Sequence, residues 1–117
     1  MKCTIYYNQN CSKSRAALEL LQSKGLEPTI IEYLKNPPTF DELEEIIIKL
    51  NIHPKQLIRF KEDKAKELGI SANDSLTYKK WIKILTQNPE LIERPIVVTS
   101  KGAVIGRPPE NVIKVLD

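Results

Sequence analysis

The stretch Lys2-Cys3-Thr4-Ile5-Tyr6-Tyr7-Asn8-Gln9-Asn10-Cys11-Ser12-Lys13-Ser14-Arg15-Ala16-Ala17-Leu18-Glu19-Leu20-Leu21 decides how the rest of the chain is read. Residues 2–7 alternate and are rich in β-forming side chains, which predicts a strand. Beyond a polar turn, residues 12–24 place Ala17, Leu18 and Leu21 on one face and end at Gly25, a C-terminal cap, which predicts a helix. Cys11 closes the turn and opens the helix. Unpaired backbone N–H groups and the positive end of the helix dipole favour an anion at that point, so the thiolate is stabilised and the thiol pKa lowered. Its neighbours Asn8, Gln9, Asn10 and Ser12 are polar, which predicts an accessible turn rather than a core position. A strand, a short turn and a cysteine at the start of a helix form the layout of a nucleophilic thiol.

Working outward, Thr29 to Tyr33 reads as a second strand, joined to the first through a helix and therefore its right-handed parallel neighbour. Pro37 and Pro38 break the chain, and Thr39 with Glu42 forms a capping box for a helix carrying Leu43, Ile46, Ile47 and Leu50. Asp63 to Leu68, stopped by Gly69, and Ser75 to Thr86, with Leu76, Trp81, Ile82 and Leu85, read as further helices. From residue 39 to about 92 the pattern is wholly helical. Pro95 to Thr99 and Ala103 to Ile105 then read as a hairpin around Ser100-Lys101-Gly102. Pro108 and Pro109 introduce a terminal helix with Val112, Ile113 and Leu116 on its apolar face. The order is βαβ, a helical insertion, then ββα. It predicts an α/β fold with a mixed four-stranded sheet, similar to the thioredoxin-like arrangement, in a single domain over residues 1–117 with the insertion at about 39–92.

Composition narrows the function. The chain has 117 residues and a formal charge of +3, enough for one core and no more basic than an ordinary globular domain. Its basic residues are scattered, so no nucleic acid partner is expected, whereas a small anionic substrate fits. No apolar stretch reaches the ~20 residues of a membrane span and no leader pattern precedes the first strand, so the expectation is a cytoplasmic protein without a membrane partner. Cys3 and Cys11 do not form a disulfide on this reading. An extended chain advances ~3.3 Å per residue and sets them ~20 Å apart, against roughly 4.4–6.8 Å for a bridged pair. The lone His53 has no ligand partners at metal-binding spacing, so no metal site is expected.

Three arginines stand at element boundaries: Arg59 in Leu57-Ile58-Arg59-Phe60, Arg94 before Pro95, and Arg107 after Gly106. Any one alone reads as a solvated surface charge. Converging on Cys11, they would hold a tetrahedral oxyanion with planar donor forks and lower the thiol pKa further. Spacing alone does not establish that convergence. Ser14 occupies the second position of a Cys-x-x-Cys pattern, and Ala17 stands where a Cys-x5-Arg phosphatase loop needs arginine, which excludes that class.

Tyr6 to Cys11, Ser14-Arg15, Tyr33-Leu34 with Pro37-Pro38, Leu57-Ile58-Arg59, Glu67-Leu68-Gly69, Arg94-Pro95-Ile96-Val97-Val98 and Arg107-Pro108 together resemble the glutaredoxin-coupled arsenate reductase family, nearly end to end. The resemblance implies a thioredoxin-like fold in which Cys11 attacks arsenate and Arg59, Arg94 and Arg107 hold the oxyanion. It implies that no cofactor is bound, with glutathione as co-substrate and glutaredoxin as partner. It also implies a cis Arg94–Pro95 bond. Family members with established resistance roles commonly carry a histidine four residues before the cysteine, where this chain has Tyr7, and a proline and a small residue are common where it has Gln9-Asn10. Two alternatives share the fold: a thiol oxidoreductase of the same family acting on another small substrate, and a redox-responsive regulator that binds RNA polymerase. Such regulators typically show Cys-x-x-Cys, which Ser14 breaks.

Overall fold

The computed structural model describes residues 1–117 and divides into two units, residues 1–36 with 94–117, and residues 37–93. In the first unit β1 (Cys3–Tyr7) leads into α1 (Ser12–Ser23) and β2 (Thr29–Glu32). The chain returns to it as β3 (Ile96–Thr99), β4 (Gly102–Ile105) and a 3-10 helix at Pro109–Val115. The four strands form one sheet in the order β2-β1-β3-β4. β1 runs parallel to β2, with Tyr7 opposite Glu32, and antiparallel to β3, with Tyr6 opposite Ile96. β3 and β4 are antiparallel, with Ile96 opposite Ile105. The predicted α/β fold with its mixed four-stranded sheet is therefore present.

The core of this unit follows from strand alternation. Cys3 and Ile5 of β1 and Val97 of β3 point to one face, where they meet Ala17 and Leu21 of α1 and Val112 and Val115 of the 3-10 helix. Each large side chain buried there contributes about 1.5–3 kcal/mol relative to exposure. The Thr99 hydroxyl, itself buried, donates to the Val115 carbonyl at 2.6 Å and ties the last helix to the sheet. That helix differs from the expected α-helix. With three residues per turn, i and i+3 stack on one side, so Val112 and Val115 are buried while Ile113 stays exposed. The hairpin turn is also tighter than expected. Gly102 already pairs with Thr99 at a φ of 142°, a conformation only glycine adopts readily, so two residues close the turn.

The second unit consists of α2 (Phe40–Leu50), a 3-10 turn at Pro54–Leu57, α3 (Asp63–Leu68), α4 (Tyr78–Gln87) and a 3-10 turn at Pro89–Leu91. The capping box forms as read: the Thr39 hydroxyl accepts from Glu42 N–H at 3.2 Å and the Glu42 carboxylate from Thr39 N–H at 3.0 Å. α2 packs on α4, with Leu43, Ile47, Trp81 and Leu85 fully buried. α4 starts at Tyr78 rather than Ser75 because the Thr77 hydroxyl accepts from Lys80 N–H at 3.2 Å and acts as the cap. Nor is the segment wholly helical. Ile58 and Ile92 form an isolated antiparallel bridge, with Arg59 N–H donating to the Leu91 carbonyl and Glu93 N–H to the Leu57 carbonyl, both at 2.8 Å. No helix is long and apolar enough to cross a membrane.

Arg94–Pro95 is cis, as the resemblance implies, and Arg107–Pro108 is cis as well. Gly106 lies against Pro95: its N–H donates to the Pro95 carbonyl at 2.8 Å, and a Cβ would stand 2.9 Å from Pro95 Cγ and 3.5 Å from Ala17 Cβ. Gly106→Ala is therefore expected to cost about 1–3 kcal/mol by overpacking. A lower midpoint in urea unfolding would register that cost, and an unchanged midpoint would contradict the close approach.

Candidate active site

The sheet pairing gathers one end of every strand. Asn8 to Cys11 follow β1 and Tyr33 follows its parallel neighbour β2, Arg94-Pro95 precede the antiparallel β3, and Gly106-Arg107 follow β4. Residues far apart in sequence therefore meet at the carboxyl end of β1, where open α/β sheets commonly hold ligands. The loop after β1 is closed locally. Cys11 N–H donates to the Asn8 carbonyl at 3.0 Å, Asn10 N–H to Asn8 Oδ1 at 3.0 Å, and Arg15 Nη1 to the Gln9 carbonyl at 2.7 Å.

Cys11 is the N-cap of α1, in an extended conformation with φ −103° and ψ 118°. The helix-start position is as read from the sequence, but the accessible thiol is not. Gln9, Asn10 and Ser12 are exposed while Cys11 is only 7% exposed. The polar neighbours face solvent and the sulfur turns the other way, toward Ser14 and the arginines. Burial pushes the Cys11 pKa up, but the backbone N–H and hydroxyl of Ser14, the Arg94 side chain and the backbone N–H of Lys13 outweigh it and bring it down to about 7. Ser14 is fully buried and its Oγ accepts from Asn8 N–H at 3.3 Å, which leaves its own proton for the Cys11 sulfur.

Arg107 Nη2 lies 3.6 Å from Cys11 Sγ, and Arg107 Nε donates to the Arg94 carbonyl at 2.8 Å. Two of the three arginines singled out in the sequence thus converge on the thiol. Arg94 Nε is buried with no hydrogen-bond partner, a donor left unspent beside a nucleophile. Arg59 belongs to the helical unit, where its guanidinium pairs with Glu62 at 2.9 Å and Glu93 at 3.8 Å. Cys3 is a different kind of cysteine: it is buried in the core of the sheet, burial pushes its pKa up, and neither thiol is in a disulfide.

Tyr7, four residues before Cys11, packs against the core cluster that contains Cys3 and Ile5. It shares their face of β1, so it serves packing, and lowering the thiol pKa falls to Ser14 and Arg94. Sequence reasoning did not single out Ser14 as a partner of Cys11, nor Tyr33 as a neighbour of it. The one available signal for Ser14 was its spacing, one helical turn from Cys11.

A single low-pKa thiol at the first helix of a thioredoxin-like unit, beside two guanidinium groups, is the site of a one-cysteine thiol protein suited to anions. The chain belongs to the ArsC family, whose model matches residues 6–115. It is similar to the arsenate reductase of Escherichia coli (strain K12), 44% identical over 97% of this chain and 79% of that protein. It is also similar to an arsenate reductase of Neisseria meningitidis serogroup A, 41% identical over 96% of each. Among solved structures, the arsenate reductase from Vibrio cholerae superposes with a TM-score of 0.94 at 38% identity, covering 99% of this chain and 98% of that one.

Alkylation of Cys11 by iodoacetamide should rise with pH through a midpoint near 7, since the thiolate reacts and the thiol does not. Ser14→Ala removes a hydroxyl donor to the thiolate and should raise that midpoint by about one pH unit. An unmoved midpoint would show that the Ser14 hydroxyl does not serve the sulfur.

Proposed function

We propose that this protein is an arsenate reductase, with Cys11 as nucleophile and Arg94, Arg107 and Arg59 as the residues that hold the oxyanion. The observation that carries the reading is the pairing of a thiol brought down to about 7 with a buried guanidinium donor, Arg94 Nε, that has no partner. A thiolate needs an electrophile and an unspent cationic donor needs an anion; arsenate supplies both in one molecule. Membership of the ArsC family and similarity to proteins named arsenate reductase support the same substrate.

On this reading the Cys11 thiolate attacks arsenic and one oxygen leaves as water, giving a thioarsenate ester whose remaining oxygens the arginines bind. The thiol of glutathione adds to arsenic with loss of a second water. Glutaredoxin then removes the glutathionyl group as a mixed disulfide, so the thiols of glutathione and glutaredoxin have surrendered two electrons to arsenic, and water cleaves the remaining Cys11–arsenic(III) bond, restoring the Cys11 thiol and releasing arsenite. Glutathione and glutaredoxin are proposed from the family resemblance, and no resident cofactor is needed. With Ser14 at the second position of Cys-x-x-Cys, no second protein thiol in the motif takes part. Arg59 is assigned from its place in Leu57-Ile58-Arg59, as the family resemblance implies.

The test is arsenate-dependent NADPH consumption coupled through glutathione, glutaredoxin and glutathione reductase. Wild type and Cys3→Ser should turn over and Cys11→Ser should not; activity that survives in Cys11→Ser would refute the assignment. Arg94→Ala and Arg107→Ala each remove a charge-assisted hydrogen bond worth about 1.5–3 kcal/mol, so kcat/KM should fall roughly 10- to 100-fold. Undiminished kcat/KM in both would contradict the oxyanion pocket.

A further inference from the structure

Tyr33 is more deeply buried than Cys11, at 1% exposure, and is brought to the same end of the sheet by the turn that ends β2. That turn is fixed by Lys35 and Asn36 N–H groups donating to the Glu32 carbonyl, each at 2.9 Å. The Tyr33 hydroxyl is buried and its proton meets no acceptor within hydrogen-bond distance, while the Arg94 and Asn8 side chains act on its oxygen as donors and Cys11 acts on its ionisation. Arginine offers only donors, and Asn8 Oδ1 is engaged within its own loop, accepting from Asn10 N–H at 3.0 Å. Arg94 and Asn8 thus stabilise the phenol oxygen without relieving its proton. Buried polar groups are nearly always paired in folded proteins, so two unspent donors on separate elements beside one nucleophile, Tyr33 Oη and Arg94 Nε, share a missing acceptor.

We propose that Tyr33 is a further substrate-contacting residue, whose neutral phenol donates a hydrogen bond to an oxygen of the tetrahedral oxyanion held against Cys11. The inference rests on the oxyanion reading given above and adds a donor that carries no charge. The arginines supply the charge that draws the anion in, and a buried phenol on a fixed turn adds a donor that rewards an oxygen at one further place. Burial pushes the Tyr33 pKa up, opposed by Arg94 and Asn8 and reinforced by Cys11, so the phenol keeps its proton at a pH where Cys11 has lost its own. Donor and nucleophile are therefore in working form together.

The test is protection of Cys11 from iodoacetamide by sulfate and by arsenate, in the full chain as wild type and as Tyr33→Phe, with arsenate turnover read in parallel. The alkylation profile without oxyanion is measured first: phenylalanine keeps the ring, and a midpoint still near 7 shows that the surroundings of the thiol are intact. The expected result is a rise of about tenfold or more in the concentration of either anion needed for half-protection. Equal half-protection in the two proteins would overturn the Tyr33 contact while leaving the oxyanion reading in place. A raised alkylation midpoint in Tyr33→Phe would overturn it too, because the phenol would then serve the thiol. Weaker protection in the variant together with no arsenate turnover by wild type would uphold the contact and reject arsenate as the reduced substrate. No protection of wild type by either anion would remove the oxyanion reading, and the role of Tyr33 with it.

Discussion

The pairing of β1 with a parallel neighbour on one side and an antiparallel neighbour on the other is the constraint on which the site depends. It brings the ends of β1, β2 and β4 and the start of β3 to one place, and with them Cys11, Tyr33, Arg107 and Arg94. The same register fixes which face of β1 is buried. A slip of one residue would turn Cys3, Ile5 and Tyr7 away from α1 and move every group at the end of the sheet. Core and site are thus set by one set of backbone hydrogen bonds. The close approach of Gly106 to Pro95 locks the two arginine-bearing segments together, and the Arg107 bond to the Arg94 carbonyl completes that junction.

The two cysteines show what decides thiol reactivity here. Both are more than nine-tenths buried, yet burial among apolar side chains pushes Cys3 up while Cys11 is brought down to about 7. The difference is the supply of donors. Cys11 faces the N–H groups and hydroxyl of the first helical turn and the guanidinium groups of two arginines, and Cys3 faces Ile5, Val97 and Val115. Tyr7, four residues before Cys11, takes no part in that supply and packs against the core cluster. A helix start and two cations already stabilise the thiolate, and the position on β1 is given over to packing.

The fold was largely legible in the sequence because its signals are local. Strand alternation over residues 2–7, the Thr39–Glu42 capping box and Gly25 and Gly69 as helix stops each act within one element. Cys11 was legible for the same reason, since a helix N-terminus is a local feature. The rest of the site depends on contacts between residues distant in sequence, as with Arg107 and Cys11. The inward turn of the thiol, the Asn8–Ser14 hydrogen bond and the approach of Tyr33 have no local signal. The 3-10 form of the last helix and the Ile58–Ile92 bridge were missed because one residue pair or one tightened turn leaves no periodicity to read. The three arginines were found by residue type and boundary position, but only strand order brings Arg94 and Arg107 to Cys11.

A preassembled set of donors surrounds one thiolate, and the most direct measurement of it is a crystal structure with arsenate, phased or checked at the arsenic absorption edge. The expected result is a single arsenic peak at bonding distance from Cys11 Sγ, with its oxygens against Arg94, Arg107 and Tyr33. An arsenic peak elsewhere on the surface, with Cys11 unmodified and Arg94 Nε still without a partner, would contradict it.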